Sequence, residues 1–279
     1  MGTLVKSTLS ALYKYSGAMH AQERLRAWSG QRPMSVLLFH RVTDEIPEDG
    51  ITVSTTWFRA FCKLMRDRFH VVPLAELHRL LTTRETPPLR TVAITFDDCY
   101  RDNLAAAQLL HDHQLPATFF IPTQYVGTDH VFPWDVGLKR MPNLTWADVR
   151  AIQSLGHEIG SHTVSHPDLG RLGVDEVRRE LADSKRTLEE TLGRRVRFFA
   201  YPFGGVENFR PEHLPLVYEL GYEACFSAIN GFVTSSSRGR ILPRVPMPYF
   251  RSLTHLEVYL TGCLEWFHRL KHGKPNAIF

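Results

Sequence analysis

The sequence predicts an α/β fold built from repeated βα units in one domain, and three observations carry that prediction. Short apolar or β-branched runs alternate with helical patterns along most of the chain, the arrangement that gives parallel sheets covered by helices. Several of the helical stretches carry their own start and stop signals. No sequence repeat, low-complexity tract or Pro/Gly/Ser linker long enough to separate domains interrupts them. A chain of 279 residues can hold two small domains or one large α/β domain, and the missing linker favours one.

The strand candidates are Ser35 to His40, Thr91 to Phe96, Ala117 to Pro122, His157 to His162, Arg197 to Pro202 and Glu223 to Ala228. Helix candidates lie between them at Thr56 to Arg68, Leu74 to Leu81, Asp102 to Gln114, Thr145 to Leu155, Val174 to Leu192 and Pro211 to Leu220, with a last one at Thr254 to His272. Thr145 stands three residues before Asp148, a capping-box spacing, and Gly156, Gly193 and Gly221 follow the ends of their helices. Residues 4 to 28 read as one amphipathic helix, with Leu4, Leu9, Leu12, Tyr13 and Tyr15 among its apolar positions, that packs on the domain or rests on a bilayer. Thr123 to Asn143 is the longest stretch without a periodic pattern. It holds Tyr125, Phe132, Trp134 and Asp135, and loops of this length are often functional. Asn230 to Gly239 is a polar loop.

A hydrophobic fraction of 43% can build a large core, so disorder is not expected. The net charge of +4 is spread over 33 basic and 29 acidic residues without a Lys/Arg block, which argues against nucleic acid as a partner. Cys62, Cys99, Cys225 and Cys263 lie far apart with no CxxC pair and read as free thiols. Lys6 and Lys14 break the apolar residues near the start, so no signal-peptide core is expected, and no run approaches the ~18 apolar residues of a spanning helix. The expectation is a cytoplasmic protein, with membrane-surface contact through the first helix as the variant reading.

Chemistry concentrates at the carboxyl ends of the candidate strands, where parallel α/β folds bind ligands. The run from Val92 ends in Asp97-Asp98. One Asp there can cap the following helix, but a single cap does not occupy both. The strand from His157 leads into His162-Thr163-Val164-Ser165-His166, whose two imidazoles can converge on one ion. Asp98 then offers a third ligand, leaving the open coordination position that a catalytic metal needs. A rival pair, His268 and His272 near Glu265, lies among Arg269, Lys271 and Lys274, whose charges oppose a cation. His111 and His113 cannot face one ion from positions i and i+2 of a helix. The first strand ends in His40, and the fifth in Tyr201-Pro202-Phe203-Gly204-Gly205, a turn whose backbone N–H groups can face an oxyanion.

Thr95-Phe96-Asp97-Asp98, His162-Thr163-x-x-His166 and Tyr201-Pro202-Phe203-Gly204 together resemble the polysaccharide deacetylases, carbohydrate esterase family 4 with its NodB-like homology domain, from about His40 to Arg244. The resemblance implies a distorted (β/α) barrel, often seven-stranded, here over 35–279 after an N-terminal helical extension at 1–34. It implies Asp97 as catalytic base and Asp98, His162 and His166 as ligands of a divalent metal, zinc first, with Co, Ni or Mn as other candidates. Cys99 stands where the family has Gly, and Ala200 where many members carry an Arg that tethers the base. The usual late Leu-x-His motif has no counterpart. Leu38-Phe39-His40-Arg41 instead resembles the early motif of the circularly permuted branch that includes the poly-N-acetylglucosamine deacetylases, which makes His40 the candidate acid. Arg244, in Leu242-Pro243-Arg244-Val245, is grouped with the substrate-contacting candidates and is also a candidate replacement for the missing tether.

These assignments describe a hydrolase that removes an N-acetyl group from an amino sugar of a glycan or lipid-linked precursor. Asp97 takes a proton from the attacking water, His40 protonates the leaving amine, and the metal with the Phe203 N–H holds the oxyanion. Trp134 and Asp135 are candidates for stacking on and hydrogen bonding a sugar, with core packing of Trp134 as the other reading. Two rival functions remain: hydrolysis of another amide, such as a formamido sugar, on the same centre, and a glycan-binding protein with a decayed site, for which Cys99 and Ala200 are the warrant. A cysteine nucleophile is disfavoured, because a thiolate at Cys99 would sit beside two carboxylates.

Overall fold

The computed structural model describes residues 3–30 and 32–262. In chain order the elements are α1 (Thr3–Tyr15), α2 (Ala18–Ser29), β1 (Ser35–Phe39), β2 (Arg41–Val42), β3 (Thr52–Val53), α3 (Thr55–Arg68), β4 (His70–Val71), α4 (Leu74–Thr83), β5 (Thr91–Phe96) and α5 (Asp102–Asp112). They continue with β6 (Ala117–Ile121), α6 (Trp146–Ser154), β7 (Glu158–Ser161), α7 (Val174–Leu192), β8 (Phe198–Ala200), α8 (His213–Glu219), β9 (Ala224–Phe226), β10 (Val245–Pro246) and α9 (Leu253–Leu260). All six strand candidates and the helix candidates up to Leu220 are present. The signals that placed them are also present: Thr145 and Asp148 form a reciprocal capping box, and Gly156, Gly193 and Gly221 take left-handed φ values. Of the last helix candidate, the part beyond Gly262 lies outside the described residues, as do Cys263, Glu265, His268 and His272.

Seven parallel strands run in the order β10-β1-β5-β6-β7-β8-β9, with β4 added along the lower part of β5. The ring is closed by a short segment before and within β10. Leu242 bridges Phe226 of β9, and Val245 pairs with Leu37 of β1. Closure by so few ladder bonds is what distorts the barrel expected from the family resemblance. Side chains alternate along the strands, as the period of two requires. Leu37, Phe39, Ile94, Phe96 and Phe119 join the layer beneath the outer helices, whereas Val36, Ala93, Phe120, Phe198 and Phe226 fill the interior with Leu74, Leu77, Leu80 and Leu81 of α4. Gly160 is required by that filling, because a Cβ there would lie 2.4 Å from the Phe120 ring.

Residues 4 to 28 form two helices, not the single one expected. The chain breaks at Gly17, whose φ of 82° leaves the helical region, and α1 and α2 pack on each other and on α9. Met19 and Val258 are fully buried against one another, and Ser10 Oγ lies 2.9 Å from His255 Nδ1. Charges lock the joint. Glu257 of α9, 1% exposed, meets Lys14 Nζ at 2.7 Å, Arg68 at 3.3 Å and Arg90 at 3.1 Å, and Arg90 also pairs with Glu23 of α2. The hairpin thus packs on the domain, while Leu9, Leu12, Tyr15, Leu25 and Trp28 stay exposed on its outer side.

Removing one partner from a buried ionic cluster leaves the others uncompensated, at about 3–5 kcal/mol when all are dry. The cations here are partly solvated, so Glu257→Gln is expected to cost about 1–3 kcal/mol. Thermal unfolding should register a drop of roughly 3–8 °C, and an unchanged midpoint would show that the cluster does not hold the hairpin.

Candidate metal centre and active site

The four strand-end motifs converge at one end of the barrel. After β5 the chain turns through Asp98 (φ 78°) and Cys99 (φ 56°); after β7 through Thr163 (φ 68°) and His166 (φ 53°); after β8 through Phe203 (φ 60°). Each such non-Gly residue costs about 1 kcal/mol or more. Five of the eight described non-Gly residues with positive φ therefore fall in these three turns, which concentrates backbone strain where side chains must be aimed. Cys99 adopts the left-handed geometry that makes Gly the usual residue there, so this replacement keeps the turn. Burial and the neighbouring Asp98 raise the Cys99 thiol well above its ordinary range, consistent with the argument against a cysteine nucleophile.

Asp98 Oδ1 lies 3.3 Å from His162 Nε2 and 3.2 Å from His166 Nε2, and the three groups are buried. His162 Nδ1 is 2.8 Å from the Ala200 carbonyl. A carbonyl can only accept, so Nδ1 carries a proton, and in the neutral ring Nε2 directs a lone pair at Asp98. Asp98 Oδ1 has no hydrogen-bond partner among the described residues. A buried carboxylate oxygen facing an imidazole lone pair is repulsive unless a proton or a metal cation lies between them. Ligand atoms about 2.0–2.1 Å from a tetrahedral zinc sit roughly 3.3 Å apart, which matches these two separations, so the donor set fits a divalent metal. Without metal, burial would raise the Asp98 carboxyl, but His162, His166 and His40 outweigh it and hold it well below the usual range. For His162, burial is outweighed by the field of Asp97 and Asp98, which raises it.

The loop carrying His166 is fastened from α7. Glu180 Oε2 accepts the Val164 and Ser165 N–H groups at 2.8 and 3.0 Å, and Oε1 accepts the Ser165 hydroxyl at 2.7 Å. Thr163 Oγ1 accepts the His166 N–H at 3.0 Å.

Asp97 is buried beside the candidate metal ligands, its Oδ2 3.9 Å from His162 Nε2, and both of its oxygens are taken by Arg244. The guanidinium donates from Nη1 to Oδ1 at 2.8 Å and from Nη2 to Oδ2 at 2.6 Å. Its remaining contacts are Nε to the Ser227 carbonyl at 2.7 Å and Nη1 to Thr95 Oγ1 at 3.2 Å. Burial opposes ionisation of Asp97, but Arg244 and His162 prevail and lower its pKa. Arg244 is fully buried with its donors taken by Asp97, Ser227 and Thr95, which corrects its grouping with substrate-contacting residues and leaves it in the tethering place that Ala200 vacates.

His40 Nε2 lies 4.0 Å from Asp98 Oδ2, its Nδ1 is buried without a partner, and burial lowers its pKa against the opposing pull of Asp98 and Asp97. Asn103 Nδ2 donates to the His40 carbonyl at 2.7 Å. Phe203 is half exposed, with its ring 4.9 Å from that of His166, and its N–H makes no hydrogen bond with the described chain. Trp134 is half-buried, stacked on Phe132 at 4.8 Å and within 5.4 Å of the His166 ring. It walls the site, in part by packing.

Asp135 is a second correction. It is buried, with one oxygen on Arg41 and the other on the Tyr100 hydroxyl at 2.6 Å, and Tyr100 also accepts Trp134 Nε1 at 2.9 Å. Both carboxylate oxygens are thus committed to the protein, so Asp135 orients the Trp134 wall and does not stand open to a sugar. Arg41, Tyr100, Asn103 and Glu180 were missed as supports of the site. Only Arg41 left a signal, a buried cation directly behind a strand-end His that had to find acids.

Residues 84–225 match the family model described as polysaccharide deacetylase, just over half of the chain. The chain belongs to the polysaccharide deacetylase family. YxkH of Bacillus subtilis is 26% identical over 192 residues, covering 68% of this chain and 62% of its own length. A peptidoglycan-N-acetylglucosamine deacetylase of Bacillus cereus is 30% identical over 117 residues, 41% of this chain and 37% of its own. The chain thus spans less than two thirds of the length of these curated relatives. The deacetylase PplD of Streptococcus pyogenes, solved with acetate, superposes with a TM-score of 0.67 at 23% identity, over 79% of this chain and 96% of that one, which establishes the shared fold.

As a support of the loop that carries the candidate ligand His166, Glu180 should act on metal affinity. Glu180→Ala is expected to weaken metal retention about 10- to 100-fold, read by chelator competition, whereas unchanged retention would reduce Glu180 to a loop brace.

Proposed function

We propose that this protein removes the N-acetyl group from an amino sugar of a glycan or glycan precursor, using a divalent metal, zinc first, at Asp98, His162 and His166. The observation that carries the reading is the unpartnered Asp98 Oδ1 facing two imidazoles beside a carboxylate that is tethered separately. A divalent cation there supplies the Lewis acidity that makes water nucleophilic near neutral pH and polarises the acyl carbonyl. Asp97, kept ionised by Arg244, is the base that takes the water's proton. The Phe203 N–H stabilises the charge that develops on the carbonyl oxygen, a contribution of about 3–4 kcal/mol when such a donor is well aimed. His40 delivers a proton to the amine, without which an amide nitrogen leaves poorly. Half-buried Trp134 and half-exposed Phe203 give the acyl group and sugar an apolar wall.

The family relation and the names of its relatives support acetyl as the acyl group. The same centre would also hydrolyse a formamido sugar, and released acetate against formate distinguishes the two. The decayed-site reading loses its warrant, since Cys99 keeps the turn and Arg244 replaces the tether. Three buried free thiols, Cys62, Cys99 and Cys225, favour a reducing, cytoplasmic setting. Exposed Leu9, Leu12, Leu25 and Trp28 on α1 and α2 support peripheral contact with a membrane surface. Trp28→Ser with Leu25→Ser should then reduce sedimentation with lipid vesicles, and equal sedimentation would exclude that contact.

Asp97→Asn should retain the metal while losing most turnover on N-acetylglucosamine oligosaccharides. Asp98→Asn and His166→Ala should lose metal first and turnover as a consequence. His40→Ala should keep fold and metal while turnover falls roughly 10²- to 10⁴-fold, the usual range for a lost general acid. Metal analysis beside acetate release separates these outcomes. Equal metal loss in all four variants would overturn the division of roles, and an unchanged rate in His40→Ala would remove that residue from the reaction.

A further inference from the structure

A cavity of about 690 Å³ opens at the opposite end of the barrel from the metal ligands, beside the chain that enters β1 and the loop that enters β5. That volume is within the range of small-molecule sites. Four arginines line it, Arg26, Arg32, Arg84 and Arg238, against one acid, Glu85. Three of them have an ordinary structural task. Arg26 donates to the Thr261 and Gly262 carbonyls at 3.3 and 2.7 Å, just past α9. Arg32 donates to the Ala27 and Pro87 carbonyls at 3.3 and 3.1 Å, and Arg238 to the Leu81 carbonyl at 2.7 Å, so each satisfies the carboxyl end of a helix, α2 or α4.

Capping does not account for the charge. A helix end carries about half a negative charge, whereas each guanidinium carries a full positive one, and neither Arg32 nor Arg238 meets a carboxylate among the described residues. Arg84 is exposed, and its side chain has neither a cap to satisfy nor an acid partner there. Glu85 is bound to Arg79, which it shares with Glu76. Leaving Arg26 out of the count, Arg32, Arg84 and Arg238 bring roughly one to two positive charges beyond the helix ends on planar donors around a concave space. Guanidinium forks match the paired oxygens of a phosphate group.

We infer that this Arg-lined cavity is a binding site for a phosphate-bearing anion, separate from the metal centre. The phosphate can belong to a soluble phosphoester or to the headgroup of an anionic phospholipid. Exposed Trp28 and Leu25 on α2, next to the Arg26 and Gly30 edge of the cavity, fit the second source. The inference needs neither the deacetylase reading nor the metal.

The test is calorimetric titration of the metal-loaded protein with inorganic pyrophosphate and glycerol phosphate, and sedimentation with vesicles of phosphatidylglycerol or of phosphatidylcholine alone. Arg84→Glu is the key variant, because the Arg84 side chain makes no described hydrogen bond or ion pair. Its backbone is the left-handed C-cap of α4 (φ 62°), and an acid at that helix end should lower the melting midpoint of the free protein only slightly. Arg238→Gln is the second variant. The site is supported if Arg84→Glu loses about tenfold or more in affinity, the scale of one charge-assisted contact. Selective binding to phosphatidylglycerol, competed by glycerol phosphate, assigns a lipid headgroup; binding of the soluble probes alone assigns a free phosphoester. Equal affinity in wild type and Arg84→Glu would place the anion at the metal centre and overturn the inference, as would the absence of binding to every probe.

Discussion

The buried pair of Asp97 and Arg244 is the interaction on which the rest of the structure depends. Arg244 lies on the segment that closes the barrel, bridging β9 at Leu242 and pairing with β1 at Val245. Its guanidinium crosses 147 positions of sequence to reach Asp97 at the end of β5. Either charge alone at that depth would cost several kcal/mol, while together, with Ser227 and Thr95 taking up further donors, they are satisfied. The few ladder bonds of β10 are therefore reinforced by a charge pair that forms only when the ring is closed. That pair also fixes which carboxylate is free for a metal: Asp97 has both oxygens occupied by Arg244, and Asp98 has one oxygen with no partner.

Strain and support are distributed to the same end. The left-handed turns at Asp98, Cys99, Thr163, His166 and Phe203 would relax in an isolated peptide. Here the β5 turn is pinned by Asp97 N–H to the Phe39 carbonyl at 3.0 Å and the β7 turn by Glu180. Rigid strands set the positions and strained loops set the aim, so ligand atoms that repel one another without a cation can still be held at 3.2–3.3 Å.

Elements with a clear period were legible in the sequence, and so was the convergence of Asp98, His162 and His166 at one end of the strands, because strand ends and paired polar residues are local signals. What was not legible depended on distance. β2, β3, β4 and β10 have two residues each, too few for alternation to appear. Gly17 broke a helix whose apolar positions still read as continuous, since periodicity survives a tight turn between two packed helices. Asp135 was assigned to substrate and Arg244 both to substrate and to the missing tether, because sequence alone does not show that Arg41, Tyr100 and Asp97 already claim their polar atoms.

The arrangement of the two ends of the barrel constrains what kind of surface the proposed deacetylase can work near. The inward side of the helical hairpin is used up by Met19, Glu23 and Ser10, and among the described residues nothing covers Leu25 and Trp28. An attachment through these residues and the adjoining cavity, as proposed, engages the amino-terminal end of the strands. The metal ligands sit at the carboxyl-terminal end, so the mouth would point away from the attachment surface. That geometry suits a sugar presented on a chain that extends outward, and it disfavours one held flat against the same bilayer, where the barrel itself would separate the amide from Asp97.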